Sequence, residues 1–196
     1  MVGPVGEGTI VDGHGRAQQK AATRRRLLRA AVEVFGSGSV MTTPVEAVAA
    51  AAGVSKATLF FHFGSRLDLL EEVASAVYGS GTAWRQAQPG LGPFLDGYFA
   101  AQRLPETRLV WEIGDVLSVE GRSTPSAAYR HLIDHLAQRL AEDGFTLERA
   151  QSMAGVLAPA VLLVARRVAY SEVDDGEVAR FRADLDTLLA PHREFA

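Results

Sequence analysis

The sequence predicts an all-α protein, and three observations predict it. Apolar residues recur at three- and four-residue steps through most of the chain. Helix-starting and helix-stopping residues fall at the ends of those stretches. No segment alternates apolar and polar residues over the length of a strand. The 196 residues suffice for one large or two small domains, and 47% hydrophobic content is too high for a disordered polyelectrolyte.

Met1 to Gln19 reads as a flexible arm, because five glycines in the first 15 residues make ordering costly. Lys20 to Phe35 reads as a helix, with Leu27, Leu28, Ala31, Val34 and Phe35 on one side and Arg24, Arg25, Arg26 and Arg29 mostly on the other. Those arginines are either a solvated face or phosphate binders. Gly36-Ser37-Gly38-Ser39 stops the helix. The next start is expected at Thr43 as N-cap, with Pro44 at the first helical position and Glu46 completing a capping box. Val45, Val48, Ala49 and Ala52 form its apolar face, and Gly53 ends it. Ser55 caps a third helix to about Phe63, with Leu59 and Phe63 inward and Val54 plugging the turn. Ser65 caps a fourth, Arg66 to about Tyr78, with Asp68 near its positive end. Beyond it, helices are expected over about 93–103, 105–119, 124–142, 146–170 and 176–190, separated by Leu104-Pro105, Gly121 to Pro125, Asp143-Gly144 and Asp174 to Gly176.

Composition excludes several classes. With no cysteine, there is no disulfide framework, no Cys-based zinc site and no thiol nucleophile. The longest apolar run, Met153 to Ala165, is 13 residues and holds Gly155 and Pro159. A bilayer needs about 20, so no spanning helix and no membrane partner are expected. The start of the chain lacks Lys, Arg and a continuous apolar stretch, so it does not read as a signal peptide, and a cytoplasmic location is expected. The net charge of −3 hides an asymmetry: residues 16–66 carry +6, residues 67–196 carry −7. One end is suited to a polyanion and the other is not.

Two short helices joined by Ala52-Gly53-Val54-Ser55 match a helix-turn-helix. The turn is tight and uses Gly, and the following residue seals the core. The second helix presents Ser55, Lys56, Thr58 and His62 outward. In such a unit this helix enters the DNA major groove by its N-terminal residues. Lys56 is a candidate either for phosphate or for guanine.

The run from Val48 to Leu70, with Ala52-Gly53-Val54-Ser55 followed by Thr58-Leu59-Phe60-Phe61-His62-Phe63 and a basic Arg66, resembles the DNA-binding signature of the TetR family of bacterial transcriptional regulators. The resemblance covers residues 24 to 73. It implies a three-helix helix-turn-helix DNA-binding domain over 20–66, after an arm over 1–19, and a helical ligand-binding and dimerisation domain over 67–196. By the same resemblance Thr43 touches phosphate, Lys56 and Thr58 face the groove, and His62 and Arg66 hold backbone phosphates. Three positions depart from the family pattern. Phe60 replaces the usual Tyr and loses a hydroxyl. Phe61, at a variable position, offers apolar contact to a thymine methyl. Pro44 replaces a common Thr. Ala57, often Gly in relatives, lets the helix lie close to the groove floor.

The remaining 120-odd residues are rich in aromatics. Trp84, Phe94, Tyr98, Phe99, Trp111 and Tyr129 are candidates either for plain core or for the lining of an effector pocket suited to a flat or apolar small molecule. Glu112 and Asp115 either orient a cationic group there or face water. His131 and His135 share a helical face, which is half a metal site, and no metal or other cofactor is expected. Met153 to Val168 and the stripe Phe181, Leu185, Leu188 and Leu189 are apolar enough for intramolecular packing or for a homodimer through the last two helices, as the resemblance implies. A pair also suits a pseudo-palindromic double-stranded operator. The chain has no phosphate-cradling Gly loop and no nucleophile elbow, so catalysis is not expected. The expectation is a ligand-released repressor. An activator, a ligand-independent regulator and a sequence-nonspecific architectural binder are the alternatives.

Overall fold

A computed structural model of the chain describes residues 11–80, 89–122 and 127–192; for 11–14, 78–80, 127 and 128 it describes backbone alone. Regular structure among the described residues is entirely helical. It runs α1 (Val11–Gly36), α2 (Val45–Ala51), α3 (Lys56–Phe63), α4 (Arg66–Ser80), α5 (Leu91–Gln102), α6 (Pro105–Val119), α7 (Ala127–Glu142), α8 (Leu147–Ala169) and α9 (Asp175–Leu189), then a 3-10 turn over Ala190–His192. The later helices fall within a few residues of their expected places, because Pro and Gly fix their ends locally.

Two boundaries differ from expectation. First, α1 begins at Val11 rather than near Lys20. Ala17, Gln18, Gln19, Ala21 and Ala22 are strong helix formers and carry the helix back through Gly15. Second, the capping box at Thr43 does not form. Pro44 itself is the N-cap, extended at ψ 149°, with no side-chain cap. Glu46 turns instead to Lys56. The other expected caps are present. Ser55 Oγ accepts from the Thr58 N–H at 3.1 Å, and Ser65 Oγ from the Asp68 N–H at 3.1 Å. A full capping box stands at the start of α9, between Asp174 and Glu177.

The apolar side chains form two clusters. One joins α5, α7, α8 and α9 around Phe94, Phe99, Leu132, Leu136 and Val161. The other joins α1 to α4 around Leu27, Phe35, Val48, Leu59 and Leu69. It also takes in Leu109 and Ile113 of α6, which are 2% and 0% exposed. The core of the head therefore continues past residue 66 into α4 and α6. A three-helix head is too small to bury its own apolar faces, and α4 and α6 complete it.

The body is also tied at its surface. Arg166 grips Asp115 through two 2.8 Å bonds, Arg103 reaches Asp175, and Arg182 reaches Asp96. The first turn of α5 is held by the end of α7. Glu142 accepts from the Gly90 N–H and Asp143 from the Leu91 N–H. Gly90 sits at φ 99°, and a Cβ there would meet Asp143 Oδ1 at 2.9 Å, so only glycine allows the approach. Arg139, almost fully buried, pairs with Glu142 and holds its carboxyl below the usual range.

α8 corrects one further expectation. It continues without a break through Gly155 and Pro159, so by length and composition it could cross a bilayer. Its buried stripe of Ala150, Ala154, Ala158, Val161 and Ala165 packs within the body cluster, as in a core helix.

Candidate nucleic-acid interface

The turn between α2 and α3 is built as its residues require. Gly53 adopts φ 64°, a left-handed conformation that other residues adopt only at a cost. Leu59 and Phe63 point into the head core at 0% and 5% exposure. Burial of that face turns Ser55, Lys56, Ala57 and Phe61 outward, where all four are exposed. Phe61 is 72% exposed.

The expected site residues are placed unequally. Lys56 Nζ lies 2.6 Å from Glu46 Oε1 and 5.8 Å from the Phe60 ring centroid. The hydroxyls of Ser55 and Thr58 are 2.9 Å apart, so both are engaged in the cap. Phe60 is half-buried and packs against the head core. Thr43 is half-buried; its carbonyl accepts from Arg66 Nη1 at 2.7 Å.

Arg66 differs most from its implied role. Its second nitrogen donates to the Val40 carbonyl, and its guanidinium lies 5.6 Å from the Phe35 ring. It is committed to clamping the Val40–Thr43 loop onto α4. A planar fork of donors suits two neighbouring carbonyls as well as it suits a phosphate. His62 is also drawn inward. Its Nδ1 is buried with no hydrogen-bond partner among the described residues, and its carbonyl accepts from Arg24. Burial, then the charges of Lys20 and Arg24, push its pKa below the usual value, so the ring is neutral near pH 7.

Several contributors escaped the sequence reading. Lys20 lies over the Phe61 ring at 5.1 Å, bringing a cation from α1 to the outer face of α3. Arg24 lies over Phe63 at 4.6 Å and pairs with Glu72 at 2.5 Å, so it is a strut between α1, α3 and α4. Arg25 and Arg29 instead edge an open groove with Leu28. Arg122 reaches Asp68 and Glu71, fastening the segment after α6 to α4. The Ser65 hydroxyl first, then Arg122, hold Asp68 below its usual pKa.

The expected pocket residues fare differently. Phe94 and Tyr98 are closed core, stacked with centroids 6.0 Å apart. Trp111 and Tyr129 are half-buried beside that core. The Trp111 indole N–H donates to the buried Gln102 at 3.1 Å, and Gln102 donates to the Tyr98 carbonyl. Trp84 lies outside the described residues. An open groove of about 540 Å³ runs between α7 and α8, lined by residues such as Ile133, Ala137 and Leu147, and is not lined by Phe94, Tyr98, Trp111 or Tyr129. Asp115 and Glu112 are paired, Glu112 with Arg108 and weakly with the Val40 N–H at 3.5 Å. His131 is exposed, and the His135 ring lies 6.0 Å from that of Phe94.

A capped helix-turn-helix with a polar outward face, set on a helical body, is the arrangement of a helix-turn-helix DNA-binding unit. Residues 27–73 match the family model described as bacterial regulatory proteins, tetR family. The chain is 32% identical over 60 residues to the uncharacterized HTH-type transcriptional regulator TtgW of Pseudomonas putida; the match spans 31% of this chain and 45% of that protein, less than half its length. Among solved structures, a TetR-like transcriptional regulator from Rhodococcus sp. RHA1 is 25% identical with a TM-score of 0.52, covering 83% of this chain and 92% of that one. A TetR-family regulator from Pectobacterium atrosepticum superimposes at a TM-score of 0.61 with 21% identity, covering 91% and 97%. Salmonella enterica GusR gives 0.60 with 23% identity, covering 86% and 96%. The match to the tetR family model thus falls on the helix-turn-helix segment, and the solved structures extend the likeness in fold over most of the chain.

Proposed function

We propose that the protein is a DNA-binding repressor that works as a homodimer and is released by a small molecule. The observation that carries the DNA-binding reading is the outward face of α3. Lys56 and Phe61 stand exposed over a buried Leu59–Phe63 base, within the cationic third of the chain. Lys56 and Phe61 are assigned to base edges, and Lys20 with the first amides of α3 to phosphate. Thr43, Phe60, His62 and Arg66 support that face from behind, and Ser55 and Thr58 fix its first turn through the cap.

Pairing is supported by the far side of α8 and α9. Val156, Leu163 and Leu188 are 75%, 63% and 66% exposed, on the helices whose other faces form the body core. Joining two copies there buries this strip and sets two α3 helices on one duplex, with half-sites about 34–36 Å apart or a multiple of that. For the effector, Trp111 donates to the buried Gln102, a polar anchor beside the apolar body core against which Tyr129 also packs, which suits a flat, mostly apolar molecule. The effector would act only through different affinities for DNA-competent and DNA-incompetent dimers.

The test is a mobility shift on the DNA upstream of the protein's own coding sequence, paired with sedimentation. Wild type is expected to shift that fragment as a dimer, and Leu163→Glu to be a folded monomer that shifts it weakly. A wild type that sediments as a monomer and leaves the fragment unshifted at low salt would refute the reading.

A further inference from the structure

Glu46 and Lys56 face one another across the turn, ten residues apart, and each side chain is 54% exposed. A carboxylate is a costly neighbour for a surface that meets a polyanion. It repels phosphate and cancels the nearest attracting charge. Glu46 also stays ionised, because the Lys56 hydrogen bond holds its pKa below the usual carboxylate value. The ammonium is thus held from two sides, by Glu46 and by the face of Phe60.

Two kinds of DNA contact value such a pair differently. Sequence-independent binding comes essentially from cations that neutralise phosphates and release counterions. A pair with no net charge adds almost nothing to it. Base reading depends on directed donors, and a lysine meets guanine at O6 and N7. An ammonium has three N–H groups. With one given to Glu46, two remain, and their origin is fixed.

We propose that Glu46 is a specificity-determining positioning residue, which withdraws Lys56 from phosphate and aims its two remaining donors at a guanine edge in the major groove. This rests on the DNA-binding reading above. It also decides between the two roles that the sequence leaves open for Lys56.

Glu46→Gln tests it, because the amide keeps the size of the side chain and an acceptor for Lys56 while removing the charge. The full-length protein would be titrated by fluorescence anisotropy over a series of NaCl concentrations. One probe is a random-sequence duplex, and the other is a duplex enriched from a random pool by the wild-type protein. Glu46→Gln is expected to bind the random duplex roughly three- to tenfold tighter at low salt, with a salt slope steeper by about 0.9 per protomer. Its gain on the enriched duplex is smaller, so the ratio between the two falls. Glu46→Asp, which keeps the charge, retains the wild-type slope. A residue that only braces the fold would weaken both complexes and lower the melting temperature without steepening the slope. Unchanged or weaker random-duplex binding at an unchanged slope overturns the assignment while wild-type binding stands. A wild type that binds neither duplex overturns the DNA-binding reading itself.

Discussion

The head and the body bury their apolar residues in the same way and use their polar residues differently. In the body, arginines such as Arg166, Arg103 and Arg182 reach carboxylates on neighbouring helices and fasten one helix to another. In the head, Arg66 clamps the Val40 and Thr43 carbonyls of the loop before α2, and Arg24 holds the His62 carbonyl near the end of α3 as well as Glu72 of α4, so both fix loops and helix ends. The helices of the body need only be packed. The two short helices of the head must also be held at one angle, and seven or eight residues cannot do that by themselves. Rigidity around α3 therefore comes from side chains that would otherwise count as spare positive charge.

The contrast fails first at α6, which follows the body's α5 in sequence and belongs by packing to the head. Ile113→Ala opens a cavity at a position with no exposure and is expected to cost about 2–5 kcal/mol. Hydrogen exchange should accelerate at amides of α2 and α3. Leu136→Ala, equally buried in the body cluster, should leave those amides nearer their wild-type rates. Equal acceleration from both would mean that the two clusters open as one unit.

A smaller effect is expected at Arg66. Arg66→Met retains much of the apolar contact with Phe35 and abandons the carbonyls of Val40 and Thr43. Losing bonds from a charged donor costs about 1.5–3 kcal/mol. Urea unfolding should show that loss, with DNA affinity falling because the loop before α2 is freed. If Arg66 instead held phosphate directly, affinity and salt slope would fall with stability unchanged.

The smallest effect concerns His62. Its folded pKa is lowered, so the unfolded chain takes up the proton first. The stability linked to the neutral ring is complete above the ordinary value near 6.5 and is lost as the pH falls through the lowered one. Thermal melts of wild type and His62→Asn, compared from neutral to mildly acid pH, should converge toward the acid end. Parallel curves would show that the ring titrates as if exposed.

Much of this was legible in the sequence because local chemistry fixes it. A left-handed residue at 53, a capping hydroxyl at 55 and apolar residues at 59 and 63 each constrain their own neighbourhood. Helix ends in the body followed Pro and Gly for the same reason. What could not be read depends on distance. Arg66 meets carbonyls 23 and 26 residues away, which no spacing rule reports. Glu46 looked like half of a capping box, and the competing partner was Lys56 across the turn. Opposite charges flanking a helix-turn-helix were the available clue. Phe94 and Tyr98 show the limit of composition, since the same aromatic residues would read alike as closed core or as cavity wall.

Hydroxyl-radical footprinting of the wild-type protein on an enriched duplex addresses the central claim most directly. Two protected stretches, centred one helical turn or a whole multiple apart, are expected on one side of the duplex. A single stretch, or uniform protection without spacing, from folded protein at low salt would contradict a pair of α3 helices reading successive grooves.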